Sequence, residues 1–192
     1  VAGGGVAGDE SAGSGWAKVL SKAARTALCI ALVLASGLAT ALQAAPLGAR
    51  LKLRWHGSTV SFIEAGRSHE VSIKEHFKAV ELQRVTLQSA RESGGFIYLL
   101  LDVTGPSKVP GDNHQCGAGS ESNLIWLRLD QGWKVTDAKD FLYDSCWSTV
   151  SMIDRPKWEG STLRVETDNK VATYSYKRPE EGIKVAEAVV PK

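Results

Sequence analysis

The chain has 192 residues, 23 Lys plus Arg against 21 Asp plus Glu, and 43% hydrophobic residues. A net charge of +2 with interspersed signs excludes the basic face of a nucleic-acid binder, and the apolar fraction excludes a disordered chain. Three cysteines are too few for a disulfide-rich miniature fold.

Residues 1–15 are mostly Gly, Ala and Ser. Lys18, Lys22 and Arg25 then precede an uncharged apolar run from Ala27 to Leu42, followed by small residues. That order is the one found in secretory signal peptides, and 16 residues fall short of the roughly 20 that a spanning helix needs. Residues 1–45 are therefore read as an N-terminal extension and signal peptide, and 46–192 as one exported domain, periplasmic or secreted. Cys29 falls in the removed segment. The remainder carries 20 Lys plus Arg and 19 Asp plus Glu, so it predicts no nucleic-acid contact and no membrane contact after cleavage.

Leu51, Leu53 and Trp55 alternate with charged residues, which predicts a half-buried strand. A turn at His56-Gly57-Ser58 leads to Val60 and Phe62, and Ala65-Gly66-Arg67 leads to Val71 and Ile73. Residues 74–82 fit a short helix through Ile73, Phe77 and Val80. A strand is expected at Val85 and Leu87, then a Ser93-Gly94-Gly95 turn. Phe96 to Leu101 is apolar on every position, the pattern of a central strand buried on both faces.

From Thr104 to Ser120 a long loop holds Pro106, Pro110 and four glycines. A hairpin follows, with arms at Leu124–Leu129 and Trp133–Val135 around Asp130-Gln131-Gly132. Leu-x-Leu-Asp occurs at Leu99–Asp102 and again at Leu127–Asp130, so each strand is read as ending in an Asp-led turn. Residues 147–158 read as irregular. Leu163 with Val165, Val171 to Tyr176, and Ile183 to Val190 complete the strands. The domain is thus mainly β, one antiparallel meander forming a barrel, a sandwich or propeller-like blades, with at most one short helix and one disulfide.

Cys116 and Cys146 are the two cysteines of the exported part, and export implies that they pair. Closing a loop of about 31 residues should contribute roughly 3–4 kcal/mol on the chain-entropy account.

For chemistry, His56, His69, His76 and His114 lack the spacing of a metal pair, and no Gly-x-Ser-x-Gly is present. Asp102, Asp112, Asn113, Glu121, Asp130 and Asp137 could supply calcium oxygens but form no Asp-x-Asp-x-Asp loop. Gly117-Ala118-Gly119 lacks the strand-to-helix setting of a phosphate loop. No cofactor and no metal are expected, and binding is favoured over catalysis. The candidate binding residues are Ser93 and Gly94 in a turn, Lys108, Asp112 and His114 in the long loop, and Trp133 and Trp147 as aromatic anchors.

Gly94 to Cys146 is similar to small exported bacterial β-rich proteins that share a Cys-Gly-Ala-Gly motif before an apolar Leu-x-Trp-Leu strand; here these are Cys116 to Gly119 and Leu124 to Leu127. The layout also loosely resembles periplasmic lysozyme inhibitors and immunity proteins, in which a Ser-Gly-type loop enters a lysozyme cleft. Ser93-Gly94-Gly95-Phe96-Ile97-Tyr98 is the matching stretch. The resemblance implies a binding or inhibitor-type protein with a protein partner in the cell envelope, such as a cell-wall hydrolase. A hydrolase with an unrecognised site and a carbohydrate-binding or structural envelope protein are the alternatives.

Overall fold

Eleven strands lie among the described residues of this computed structural model, which are 45–77, 79, 81–107 and 119–188. The expected signal peptide, Cys29, Lys108, Asp112, His114 and Cys116 lie outside them. Every pairing is antiparallel, and the strands form three open sheets, each from one uninterrupted run of chain. The first sheet is β1 (Lys52–His56), β2 (Thr59–Glu64) and β3 (Arg67–Ser72). The second is β4 (Arg84–Ser93), β5 (Phe96–Pro106), β6 (Ser120–Leu129) and β7 (Val135–Ser145). The third is β8 (Met152–Glu159), β9 (Thr162–Thr167), β10 (Lys170–Ser175) and β11 (Lys184–Glu187). No sheet closes into a barrel, so that alternative is excluded.

Alternation along β5 and β6 makes the second sheet the middle layer. Ile97, Leu99, Leu101 and Val103 of β5, with Ile125, Leu127 and Leu129 of β6, pack on Val60, Phe62, Val71 and Ile73 of the first sheet and its exit. The intervening Tyr98, Leu100, Leu124 and Trp126 pack on Leu163, Val165, Ala172 and Tyr174 of the third sheet. Two separate cores therefore share one backbone. This is why Phe96 to Leu101 shows no polar position: both faces of the strand are interior.

The helix expected over 74–82 is not formed. Lys74–His76 is a turn in which the His76 N–H donates to the Ile73 carbonyl. Leu82 N–H then donates to the Gly57 carbonyl and Gln83 N–H to the Thr104 carbonyl, so the backbone is spent on neighbouring strands. Of the residues on the expected helical face, Ile73 and Phe77 are buried and Val80 lies outside the described residues; with Leu82 they belong to a strap that covers the first core. The one α-helix among the described residues is a single turn, α1 (Leu47–Arg50), which buries Leu47. None of the described helices is long and apolar enough to cross a membrane.

Two turns hold the middle sheet in register. Gly94 and Gly95 both have positive φ, at 58° and 80°, as a two-residue hairpin turn with right-handed strand twist requires. Between β6 and β7, Asp130 Oδ1 accepts from the Gly132 and Lys134 N–H groups, at 2.9 Å each. That turn carries Trp133 at φ 65°, an unusual angle for a side chain of this size. Stacking compensates: the indole lies on His69 at 4.4 Å between centroids and 8° between planes, and against Phe62.

Candidate functional site

The face of the middle sheet that meets the third sheet changes character along its length. Tyr98 and Leu100 on β5, and Trp126 and Leu124 on β6, are apolar and buried. The same face continues as Asp102 and Thr104 on β5, and as Ser122 and Ser120 on β6. Apolar residues there would have let the third sheet cover the whole face. Instead the third sheet stops at β8, and a cleft of about 350 Å³ opens between it and the polar end of the middle layer. Arg84, Asp102, Thr104, Ser122 and Tyr143 line it from below, and Met152, Arg155 and Pro156 line it from β8.

β8 makes a wall and not a cover because its pairing with β9 is broken twice, between Met152 and Asp154 and between Asp154 and Lys157. Pro156 also has no N–H to give to a ladder. The far end of β8 is fixed by Trp158, whose Nε1–H donates to Gln88 Oε1 on β4 at 3.3 Å. The edge of the indole meets Tyr174 and Tyr176.

Asp102 is the buried charge of the cleft, at 7% exposure. Its Oδ1 accepts a 2.6 Å hydrogen bond from the Tyr143 hydroxyl and lies 4.0 Å from Arg84 Nη2. Arg84 Nη2 also donates to Thr104 Oγ1 at 2.9 Å, and Thr104 Oγ1 lies 3.1 Å from Ser122 Oγ. Four strands thus contribute to one polar network. Burial pushes the Tyr143 phenol well above its ordinary value, and the Asp102 charge adds to that. Burial also raises the Asp144 carboxyl, with Glu121 adding to the shift. Glu121 points to the opposite face, where it is buried and accepts from Ser107 Oγ at 2.7 Å.

The Tyr143–Asp102 bond yields two measurable outcomes. Tyr143→Phe leaves a buried carboxylate short of its best donor and is expected to cost about 1–3 kcal/mol in denaturant unfolding. A phenol raised in the folded state favours the protonated form, so its contribution is complete below the unfolded value near 10. It is lost as pH climbs from there toward the higher folded value. The wild type should therefore lose stability above about pH 10, and the Phe variant should lose less over the same range.

Of the binding residues expected from sequence that are described, Ser93 and Gly94 share one end of the middle sheet with the Trp133 turn, where Gln131 Nε2 donates to the Gly95 carbonyl at 3.1 Å, and Trp147 lies apart from them. Ser93 and Gly94 form the exposed tip between β4 and β5. Asp102 lies some eight residues from them along β5, roughly 26 Å at the rise of a strand. Trp133 is 9% exposed and belongs to the first core. Trp147 is 49% exposed and lies three residues beyond Asp144 of the cleft. Of the histidines, His76 Nδ1 is 3.3 Å from Asp140 and His69 is stacked on Trp133. Among the described residues no three His, Cys, Asp or Glu side chains are placed to hold a metal ion.

From the sequence, Asp102 reads as a turn residue and a candidate calcium oxygen, and Arg84, Thr104, Ser122, Tyr143 and Arg155 are not singled out as site residues. The available signal was the polar continuation of two otherwise apolar strands, a local conflict of the kind that marks functional sites.

No protein-family model, curated protein or solved structure matches the chain.

Proposed function

We propose that the chain is an exported protein of the cell envelope that works by binding another protein, and that its recognition surface is the end of the molecule that holds the cleft and Trp147. The observation that carries the reading is Trp147 itself: a large aromatic side chain, half exposed, directly after Cys146 and close in sequence to the polar cleft. Buried interface anchors are enriched in Trp and Arg, and a rigid β scaffold lowers the ordering entropy lost on docking. Cell-wall hydrolases are the partner class to test first, from the resemblance to lysozyme inhibitors.

The loop joining β5 to β6 leaves and re-enters at this same end. Ser107 N–H donates to the Gly119 carbonyl, and a Cβ placed on Gly119 would stand 2.6 Å from the Cys146 Cβ and 3.2 Å from its Sγ. Residue 119 therefore lies directly on Cys146, three residues after Cys116, which supports their pairing. Intact mass of the exported protein should rise by two hydrogens on reduction; an unchanged mass would remove the pairing.

Two changes test the function. Lys108 to His114 replaced by a Gly-Ser linker of equal length, and separately Trp147→Ala, are each expected to weaken capture of the partner roughly thirtyfold or more. Melting temperature should stay near wild type, because Trp147 is half exposed and Lys108 to His114 are mostly polar and turn-forming residues. Undiminished capture by both variants, with the fold intact, would overturn the reading.

A further inference from the structure

We infer that the cleft between β8 and the polar end of the middle sheet is a carboxylate-binding site, with Arg155 and Arg84 as its two forks. This rests on the protein-binding reading above, and within it the carboxylate is an acidic side chain of the partner.

Four observations converge. Arg155 lines the cleft from β8, is exposed, and its side chain makes no hydrogen bond or ion pair with any described residue. Arg84 lines the opposing side, and of its five N–H groups the bond to Thr104 engages only Nη2, with the side chain 54% exposed. A guanidinium presents its donors in a planar fork that matches a carboxylate, so two of them around one cleft select that group over a neutral amide. The hydroxyl of Ser120 supplies a further short donor at the floor, beside the Thr104 and Ser122 hydroxyls that engage each other. Finally, Met152 and Pro156 give an apolar wall against which the methylenes of a Glu side chain can pack.

Two acidic residues in the lining work against an anion, and neither defeats it. Asp102 has its Oδ1 occupied by the Tyr143 hydroxyl and lies beside Arg84, so its charge is already countered within the wall. Asp144 is half-buried, and burial, with Glu121 adding, raises its carboxyl above the ordinary value; none of the described arginines is bonded to it. Arg155 is left as the arginine of the lining whose side chain no carboxylate of the described residues engages. A sugar is the poorer fit. Tyr143, the one aromatic side chain in the lining, is 2% exposed and offers no face for stacking.

The test uses the blocked tripeptide acetyl-Gly-Glu-Gly-amide, its glutamine counterpart and free glutarate, each titrated into ¹⁵N-labelled protein. The Glu peptide should shift the Arg155 and Arg84 side-chain Nε–H signals and the Ser120 and Ser122 amides, and the Gln peptide should not. Arg155→Ala should weaken the Glu peptide roughly tenfold or more, as expected for a charge-assisted bond. Arg178→Ala, which removes an exposed arginine paired with Glu181, should leave it unchanged. Tighter binding of the peptide than of glutarate assigns the carboxylate to a protein side chain. Glutarate binding as tightly as the peptide keeps the carboxylate site and overturns the partner's side chain as its source. Equal shifts from the Glu and Gln peptides, no shifts at all, or an Arg155→Ala variant that binds like wild type would overturn the site. Failure of the function alone reads differently: the cleft still takes the Glu peptide while Trp147→Ala has no effect on capture.

Discussion

Gly105→Ala should destabilise the domain by about 3 kcal/mol or more, a drop of roughly 6–12 °C in melting temperature for a chain of this size. Gly105 lies in β5, where the strap from Lys74 to Gln83 crosses the middle sheet. A Cβ built there would run into the Glu81 carbonyl oxygen and stand 3.0 Å from Phe77 Cζ and 3.1 Å from Ala79 Cβ. The first of these is backbone, so no rotamer change relieves it. The strap would have to lift, and with it the bonds from Leu82 N–H to Gly57 and from Gln83 N–H to Thr104. Thermal unfolding monitored by circular dichroism measures the loss. A variant melting within a degree of wild type would show that the strap is not pressed on β5. The expected loss does not arise from backbone dihedrals, because Gly105 is not among the glycines with positive φ.

The second large effect is expected at Trp126, which is 1% exposed in the core between the middle and third sheets. Trp126→Ala should cost about 3–5 kcal/mol, the range for deleting a buried aromatic side chain. More than volume is lost. The indole Nε1–H donates to the Pro179 carbonyl at 2.9 Å, Lys139 Nζ lies 5.5 Å from the ring, and Tyr98 stacks at 6.1 Å. Trp126 thus pins the short 3₁₀ turn Pro179–Glu181, which delivers the chain to β11, onto the middle sheet. Trp126→Phe restores most of the volume but not the donor. It should recover part of the stability while leaving Pro179 to Glu181 open to hydrogen exchange. Equal protection of that turn in both variants would mean that packing alone holds it.

How much could be read from the sequence depends on whether a residue's role is set by its neighbours in the chain. Phe96 to Leu101 declared a strand with two buried faces, and Ser93-Gly94-Gly95 declared its turn, because the pattern and the turn chemistry are local. The repeated Leu-x-Leu-Asp misled at one of its two sites. Asp130 does lead a turn and caps it. Asp102 instead sits inside a strand that runs on to Pro106, and its carboxylate meets Tyr143. β8 was unreadable because all but Met152 and Pro156 of its eight residues are exposed, so no two-residue period survives. The helix expected over 74–82 placed Ile73 and Phe77 inside correctly and had the wrong backbone, since its hydrogen-bond partners lie on segments distant in sequence. Arg84 and Arg155 are 71 positions apart. Only the crossing of β8 over the middle sheet brings them to one cleft.

Because every sheet is one uninterrupted run of chain, the three layers are synthesised in the order outer, middle, outer. The middle layer is complete at Ser145, but the strands that cover its second face end only at Glu187. At about 5–20 residues per second, roughly two to eight seconds pass between those points. During that interval Tyr98, Leu100, Leu124, Trp126 and Phe141 wait for their partners on the third sheet, which are added one by one from Leu163 to Ile183. A nascent chain with such a face is a client for a holding chaperone or for self-association. A released chain that ends near residue 150 should keep that face uncovered.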